Sequence, residues 1–399
     1  MNSADVAVVG AGAAGAAAAF HLSRLGHHVT LLDRDTPETS RSRIRPCGGG
    51  MASSVQGWFP FPLTPAVDEV IERVEFSWCL ADPVVADLPG SAPFWIVRRE
   101  QLDALLVERA VENGAVLIGG FDVTHLARSR QGDWCLRSAD GRELEARAVV
   151  IADGSGSPWS TRFGLGPKTP HLATTTSVRL EGRGTLREGS ARFEFGLVHH
   201  GFAWAFPIGD GVNVGVGSFI GRDAVDSDAV LSQLLPDLGF PADAGHRQTA
   251  ALRVWNGHQP LHGEGIVAAG DAASLCDPFL AEGLRPALMS GCEAAAALDH
   301  WLRSEQTDLS SYSLRMRERW GDSMALGTTD RAGVLSISER GIPTRCQATD
   351  GPAADRPDPL RRDGVWRHRP EGDSTPSVST RMTRCHRSSG LPSRATVRT

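Results

Sequence analysis

Ala4-Asp5-Val6-Ala7-Val8-Val9-Gly10-Ala11-Gly12-Ala13-Ala14-Gly15 stands near the start of the chain, and an alanine-rich stretch carries on from it to Leu25 and Gly26. The apolar run Ala4 to Val9 is of the kind that makes a buried parallel strand, and the alanine-rich stretch is helical in character. Between them Gly10 lets the chain turn, Gly12 lets the backbone approach a pyrophosphate, and Gly15 lets helix and strand pack closely. The helix N-terminus offers free N–H groups and the positive end of a dipole to phosphates. A second strand, His28 to Leu32, ends at Asp33, 18 residues beyond Gly15. A carboxylate there accepts hydrogen bonds from an adenosine ribose and repels a 2′-phosphate, so the expectation is a dinucleotide other than NADP at this position.

Working outward, two later runs favour FAD over NAD. Arg147 to Ala152 reads as a buried strand ending in Asp153-Gly154-Ser155-Gly156-Ser157, and Gly265 to Ala269 as another ending in Gly270-Asp271. An acid delivered from so far down the chain suits a cofactor held at both ends, with Asp271 bonding the ribityl hydroxyls of a flavin. Asp277-Pro278 and Glu282-Gly283 lead into a helix from about Leu284 to Leu302, whose N-terminus stabilises negative charge on a reduced flavin ring. Phe202 to Gly217 alternates with period two and reads as a hairpin.

Composition bounds the rest. With 399 residues, 41 Lys+Arg and 47 Asp+Glu, the chain reads as a soluble globular protein of two or three domains, and its net charge of −6 disfavours nucleic acid as a partner. Residues 1–326 are net −11 and 327–399 net +5. Seven scattered cysteines without a CxxC pair indicate a reducing compartment and no zinc site. His199-His200 and His258/His262 lack a carboxylate at metal-site spacing, so no metal is expected. The apolar run Val6 to Phe20 is too short to span a bilayer and has no basic n-region before it, so the cytoplasm is the expected location.

On these pieces the chain resembles the geranylgeranyl reductase family, a branch of the FAD-dependent fold shared with p-hydroxybenzoate hydroxylase. The matching segments are Val8 to Gly15, Arg45-Pro46-Cys47-Gly48-Gly49-Gly50, Arg99-Glu100-Gln101-Leu102-Asp103, Asp153-Gly154, Phe202-Ala203-Trp204-Ala205-Phe206-Pro207 with Gly215-Val216-Gly217, and Gly270-Asp271-Ala272-Ala273 through Asp277-Pro278 to Glu282-Gly283. They occur in the family's order over roughly 1–326. The resemblance implies that Gly10, Gly12, Gly15, Asp33 and Arg99 hold the ADP half, with Val123 near the adenine, and that Ala14 and Arg34 also bind the cofactor. It places Cys47, Gly48, Asp153, Gly154, Gly270, Asp271, Pro278, Gly283 and Leu284 around the flavin half. It implies FAD as cofactor and NADPH or reduced ferredoxin as electron source. Asp153-Gly154 would also lie near a reducing nicotinamide.

The implied reaction is saturation of C=C bonds in prenyl chains of a small molecule or lipid. Phe202, Trp204, Phe206 and Pro207 would line an apolar tunnel for that chain, although residue type alone equally suits the core of an antiparallel sheet. Phe202 stands where the family has Tyr. Cys47 is the candidate catalytic residue, as a proton donor or a group that orients one; a small buried apolar role is the alternative. The head group stays open between a free diphosphate, a chlorophyll side chain, a quinone and an ether lipid. Transient membrane-surface contact is expected for such substrates. A flavin monooxygenase or halogenase of the same fold is the rival enzyme reading, since halogenases carry a related Trp-x-Trp-x-Ile-Pro segment. An inactive FAD-binding paralogue is the rival from another class.

The expected architecture is α/β: a doubly wound, Rossmann-like FAD-binding domain from 1–60, 97–165 and 255–326, a second domain with a mixed or antiparallel sheet from 61–96 and 166–254, and a disordered, basic C-terminal tail. The family likeness stops at about Gly327. Residues 328–399 are rich in Arg, Ser, Thr and Pro with no helical period, a disordered composition. We read this end as a product of a shifted reading frame rather than the family's own C-terminus; a tail for nucleic acid or anionic lipid is the alternative.

Overall fold

The computed structural model describes residues 2–36, 38–39, 45–90, 94–218, 226–304 and 308–325, so the readings made for 327–399 lie outside the described residues. In chain order the strands are β1 (Asn2–Val9), β2 (Val29–Leu32), β3 (Gly50–Ala52), β4 (Val67–Ile71), β5 (Arg73–Trp78), β6 (Ala81–Asp87), β7 (Phe94–Val97), β8 (Val116–Ile118) and β9 (Val123–Arg128). They continue as β10 (Trp134–Ser138), β11 (Glu143–Ile151), β12 (His171–Leu180), β13 (Ser190–Phe195), β14 (Gly201–Ile208), β15 (Gly211–Ser218), β16 (Gln248–Val254), β17 (His262–Gly263) and β18 (Ile266–Ala268). The α-helices are α1 (Ala13–Arg24), α2 (Arg99–Glu112), α3 (Trp159–Arg162), α4 (Ser227–Asp237), α5 (Leu284–Arg303) and α6 (Ser310–Met316).

The first sheet runs β17-β18-β11-β1-β2-β8, with β10 joining β11 to β9. Its centre, β18 to β8, is parallel. Those strands are apolar runs because both faces are covered: Val6 to Val9, Val29 to Leu32 and Ala148 to Ile151 are all buried. Helix α1 packs on α2 and α5, so Ala13, Ala14 and Ala16 to Ala19 are buried. The approach of α5 is close enough that a Cβ on Gly291 would lie 2.3 Å from Ala14 O.

The second sheet has the order β16-β12-β15-β14-β13-β5-β6 and is antiparallel apart from the β13–β5 pair. Its two faces differ. Ala203, Ala205, Val212, Val214 and Val216 pack with Val230, Leu231, Leu234 and Leu235 of α4. Phe202, Trp204 and Phe206 point the other way, as strand alternation requires. Gly215 stands opposite Trp204, where a Cβ would meet the indole at 2.1 Å. A small antiparallel sheet, β3-β7-β4, completes the arrangement.

The expected hairpin and the helix at Leu284 are present with nearly the expected bounds. Cys47, Cys135, Cys276 and Cys292 are free. No helix among the described residues is long and apolar enough to cross a membrane.

Candidate functional site

A cavity of about 750 Å³ lies between the C-terminal ends of the parallel strands and the aromatic face of the second sheet. At one end it is lined by Asp33, Arg34, Asp35, Phe121 and Val123. The turn after β1 forms its floor. Gly10 has φ +101°, and a Cβ there would lie 2.4 Å from Ala152 O. Gly15 is packed still harder, with Gly10 O 1.8 Å from an added Cβ, so it shapes the turn from beneath without lining the cavity. Gly12 caps α1 with no side-chain hydrogen bond, which leaves the N-terminal N–H groups to a ligand. Asp33 Oδ2 accepts from Ala11 N at 2.6 Å and Oδ1 from Asp35 N at 2.8 Å, which fixes the carboxylate beside that turn.

The middle of the cavity is walled by Cys47, Gly48, Gly49 and Gly50. The sequence reading has these glycines approaching a flavin ring; among the described residues they approach aromatic side chains of the protein. A Cβ on Gly48 would lie 2.9 Å from the Phe206 ring, and one on Gly50 2.3 Å from the Phe94 ring. Gly49 has φ +77° and sits against Val97 O. Asn213 Nδ2 donates to Cys47 O at 2.8 Å, tying the loop to the second sheet, and Gly49 N donates to Cys47 Sγ at 3.4 Å.

Arg99, on the first turn of α2, pairs with Asp103 at 3.2 Å and lies within electrostatic reach of Cys47, which sets it beside the glycine loop. Burial alone would lower the pKa of the guanidinium, but Asp103 and Cys47 outweigh it and raise it, so Arg99 stays charged. Arg45 reaches the same Asp103 at 3.1 Å.

At the far end lie Asp153, Gly154, Gly270, Asp271, Gly283 and Leu284. Gly270 N donates to Ser290 Oγ at 2.9 Å, which seats the Gly270-Asp271 turn on α5. Burial pushes the Asp153 and Asp271 carboxyls up to about 6; Ser157 and Arg253 pull Asp153 back, and Arg99 and Arg253 pull Asp271 back. Leu280, Ala281 and Glu282 form a rim, on which Ala281 takes φ +49° and Asp277 N donates to Glu282 O at 3.1 Å. Burial raises the Glu282 carboxyl against the pull of Arg285.

Phe202, Trp204 and Phe206 line the roof with Phe193 and Thr175. Pro207 does not: it follows Phe206 in the strand, so alternation turns it to the opposite face, and the tunnel reading is corrected at that position. Pro278 is buried and is also absent from the cavity wall. Apart from Gly15, which lies beneath the turn, the other expected site residues, Ala14 included, are brought to this one cavity. His258 pairs with Asp322 at 3.3 Å and His262 with Ser313 at 2.7 Å, and no cluster of metal-ligating side chains occurs among the described residues.

Sequence reasoning missed Arg253. It is buried on β16, with Nε donating to Ser155 O at 2.6 Å and Nη1 to Ser160 Oγ at 2.9 Å, and it acts electrostatically on both Asp153 and Asp271. Its signal was a lone charge inside the apolar run Leu252-Arg253-Val254.

The residues fit FAD. Asp153 Oδ1, Thr175 Oγ1 and Trp204 Nε1 are buried, line the cavity and have no protein partner among the described residues, and such groups are costly unless a ligand bonds them. Two helix N-termini, at Gly12 and Gly283, open toward the cavity without side-chain caps.

Comparison with known proteins gives the same cofactor. Residues 5–53 match the family model of FAD dependent oxidoreductases. The chain is 30% identical over 336 residues to a menaquinone reductase of Mycobacterium tuberculosis, covering 75% of this chain and 77% of that one. It is 30% identical over 342 residues to digeranylgeranylglycerophospholipid reductase 2 of Methanothermobacter thermautotrophicus, covering 80% and 85%. Its fold matches a geranylgeranyl bacteriochlorophyll reductase-like protein from Thermoplasma acidophilum with a TM-score of 0.72 at 21% identity, covering 80% and 84%.

Proposed function

The chain belongs to the geranylgeranyl reductase family of FAD-dependent oxidoreductases, and from that premise we propose that it saturates isolated C=C bonds in the prenyl chain of a lipid. The observation that carries this reading is the apolar half of the cavity, where Phe94, Phe193, Phe202, Trp204 and Phe206 face the Cys47 loop. A hydrocarbon chain is held there by apolar burial and shape, without a charged partner. Both relatives are named for prenyl lipids, which supports a lipid substrate over a free diphosphate.

Bound FAD, once reduced by the electron source, would supply the hydride for one alkene carbon. The other carbon needs a proton, and the Cys47 side chain is the group we assign to give or orient it. Asp33 and the α1 N-terminus hold the adenosine and pyrophosphate, and Asp271 holds the ribityl chain. Arg99 positions Cys47. The aromatic roof and the Leu280–Glu282 rim exclude water around the reacting bond. NADPH or reduced ferredoxin is the electron source in this reading, and the enzyme works in the cytoplasm with transient contact at a membrane surface.

Anaerobic incubation with dithionite and geranylgeranyl-chain lipids tests the assignment by mass spectrometry. The expected outcome is a gain of two hydrogens per reduced bond. A strict requirement for oxygen with a hydroxylated or halogenated product would overturn it in favour of a monooxygenase or halogenase. Protein that purifies colourless and takes up no added FAD would make the chain an inactive paralogue.

A further inference from the structure

The aromatic roof does not end where the cavity ends. Paired residues on adjacent strands share a face, and the register joins Trp204 to Phe193, Phe193 to Phe76, and Phe76 to Val84. One row therefore crosses β14, β13, β5 and β6, about 14 Å at ordinary strand spacing. Its rings are in contact. Phe206 and Phe193 lie 5.0 Å apart, Phe193 and Phe76 stack at 5.7 Å, and Phe76 and Phe195 stack at 6.3 Å. Phe193 lines the cavity, whereas Phe76 is 40% exposed, Trp78 46% and Val84 64%.

On its opposite face β13 is held by charge. Glu194 is fully buried and pairs with Arg192 at 3.0 Å, Leu80 N donates to Glu194 Oε1 at 2.8 Å, and Arg192 reaches Asp237 of α4 at 2.6 Å. These contacts tie β13 to α4 and to the turn between β5 and β6, and the apolar row beyond Phe193 is presented to solvent. Exposed rings in unbroken contact with a substrate cavity are a surface on which something apolar can lie.

We propose that this row seats the distal part of the substrate's prenyl chain, which leaves the cavity across Phe193 and lies over Phe76 and Val84. The inference rests on the prenyl reading of the cavity and adds to it that the enzyme selects long chains. A chain that ends inside the cavity leaves the row uncovered, and a longer one gains its apolar contact.

The test compares geranyl- and geranylgeranyl-chain glycerophospholipids under anaerobic dithionite, using wild type, Val84→Thr, and the double variant Phe76→Thr/Val84→Thr. Threonine keeps strand propensity at these exposed positions, and retention of FAD absorbance checks folding. The expected result is that the double variant lowers kcat/KM for the 20-carbon chain about tenfold and leaves the 10-carbon chain unchanged, with Val84→Thr intermediate. Equal loss on both chains, or no loss on either, overturns the row while the prenyl reading stands. So does an unchanged chain-length profile combined with weaker sedimentation on phosphatidylcholine vesicles, which would make the row a membrane contact. Wild type that reduces neither chain, nor any geranylgeranyl-chain lipid, removes the prenyl reading and this proposal with it.

Discussion

Cys47 is half-buried between a glycine loop and Arg99, and its thiol has one backbone N–H and one guanidinium for company. Serine keeps the size and the hydrogen bonds but is a far weaker acid. Cys47→Ser is therefore expected to retain FAD, read from its visible absorbance, and to lower single-turnover reduction at least tenfold. Unchanged turnover would leave the thiol a packing residue. Residues that contact a ligand through the backbone were legible from the sequence, because a turn that cradles a pyrophosphate admits little besides glycine at Gly10 and Gly12. Arg253 was not, since Ser155 and Ser160, which accept from it, lie in a loop and a short helix far away in sequence.

At the scale of elements, α1 is gripped from above and below by backbone contact. Gly15 admits the turn, Gly291 admits α5, and at Gly270, with φ +61°, an added Cβ would lie 3.0 Å from Ala14 Cβ. Gly291→Ala is expected to force α5 off α1 at a cost of about 1–3 kcal/mol, since the obstructing atom is a carbonyl that cannot rotate away. Thermal unfolding of the FAD-bound protein measures it as a drop of several degrees, and an unchanged melting temperature would contradict the packing described. The strand–turn–helix opening was plain from periodicity. The assignment of Pro207 to the tunnel failed at the same scale, because the motif was carried over as a block although adjacent strand residues face opposite ways. The sheet order and the seating of β16 beside Cys276 required tertiary pairing that no local pattern contains.

For the molecule as a whole, Arg253 and the carboxyls of Asp153 and Asp271 join the second sheet to the loops of the first. Both carboxyls have folded pKa values of about 6 against an ordinary 3.8, so between roughly pH 4 and 6 the folded state holds more protons than the unfolded chain. Their contribution to stability consequently falls as pH rises through that window. Other carboxyls with lowered pKa values act with the opposite sign, so in melting curves of the FAD-free protein the change in melting temperature from pH 4.5 to pH 7 should be more positive in Asp153→Asn/Asp271→Asn than in wild type. A difference equal to that of wild type would mean that these two groups do not titrate in the window.

The strand order also sets a timetable for synthesis. β1, β2 and β11 can assemble once residue 151 has left the ribosome, but β18, which pairs with β11, is about a hundred residues behind. β10 covers the first part of that edge of β11, so at ordinary translation rates Val149 to Ile151 stand bare for roughly ten seconds. Throughout that interval the nascent chain carries half a cofactor site and an open template for pairing with a neighbouring chain, so the yield of active protein should depend on translation speed and on chaperones that shield that one edge.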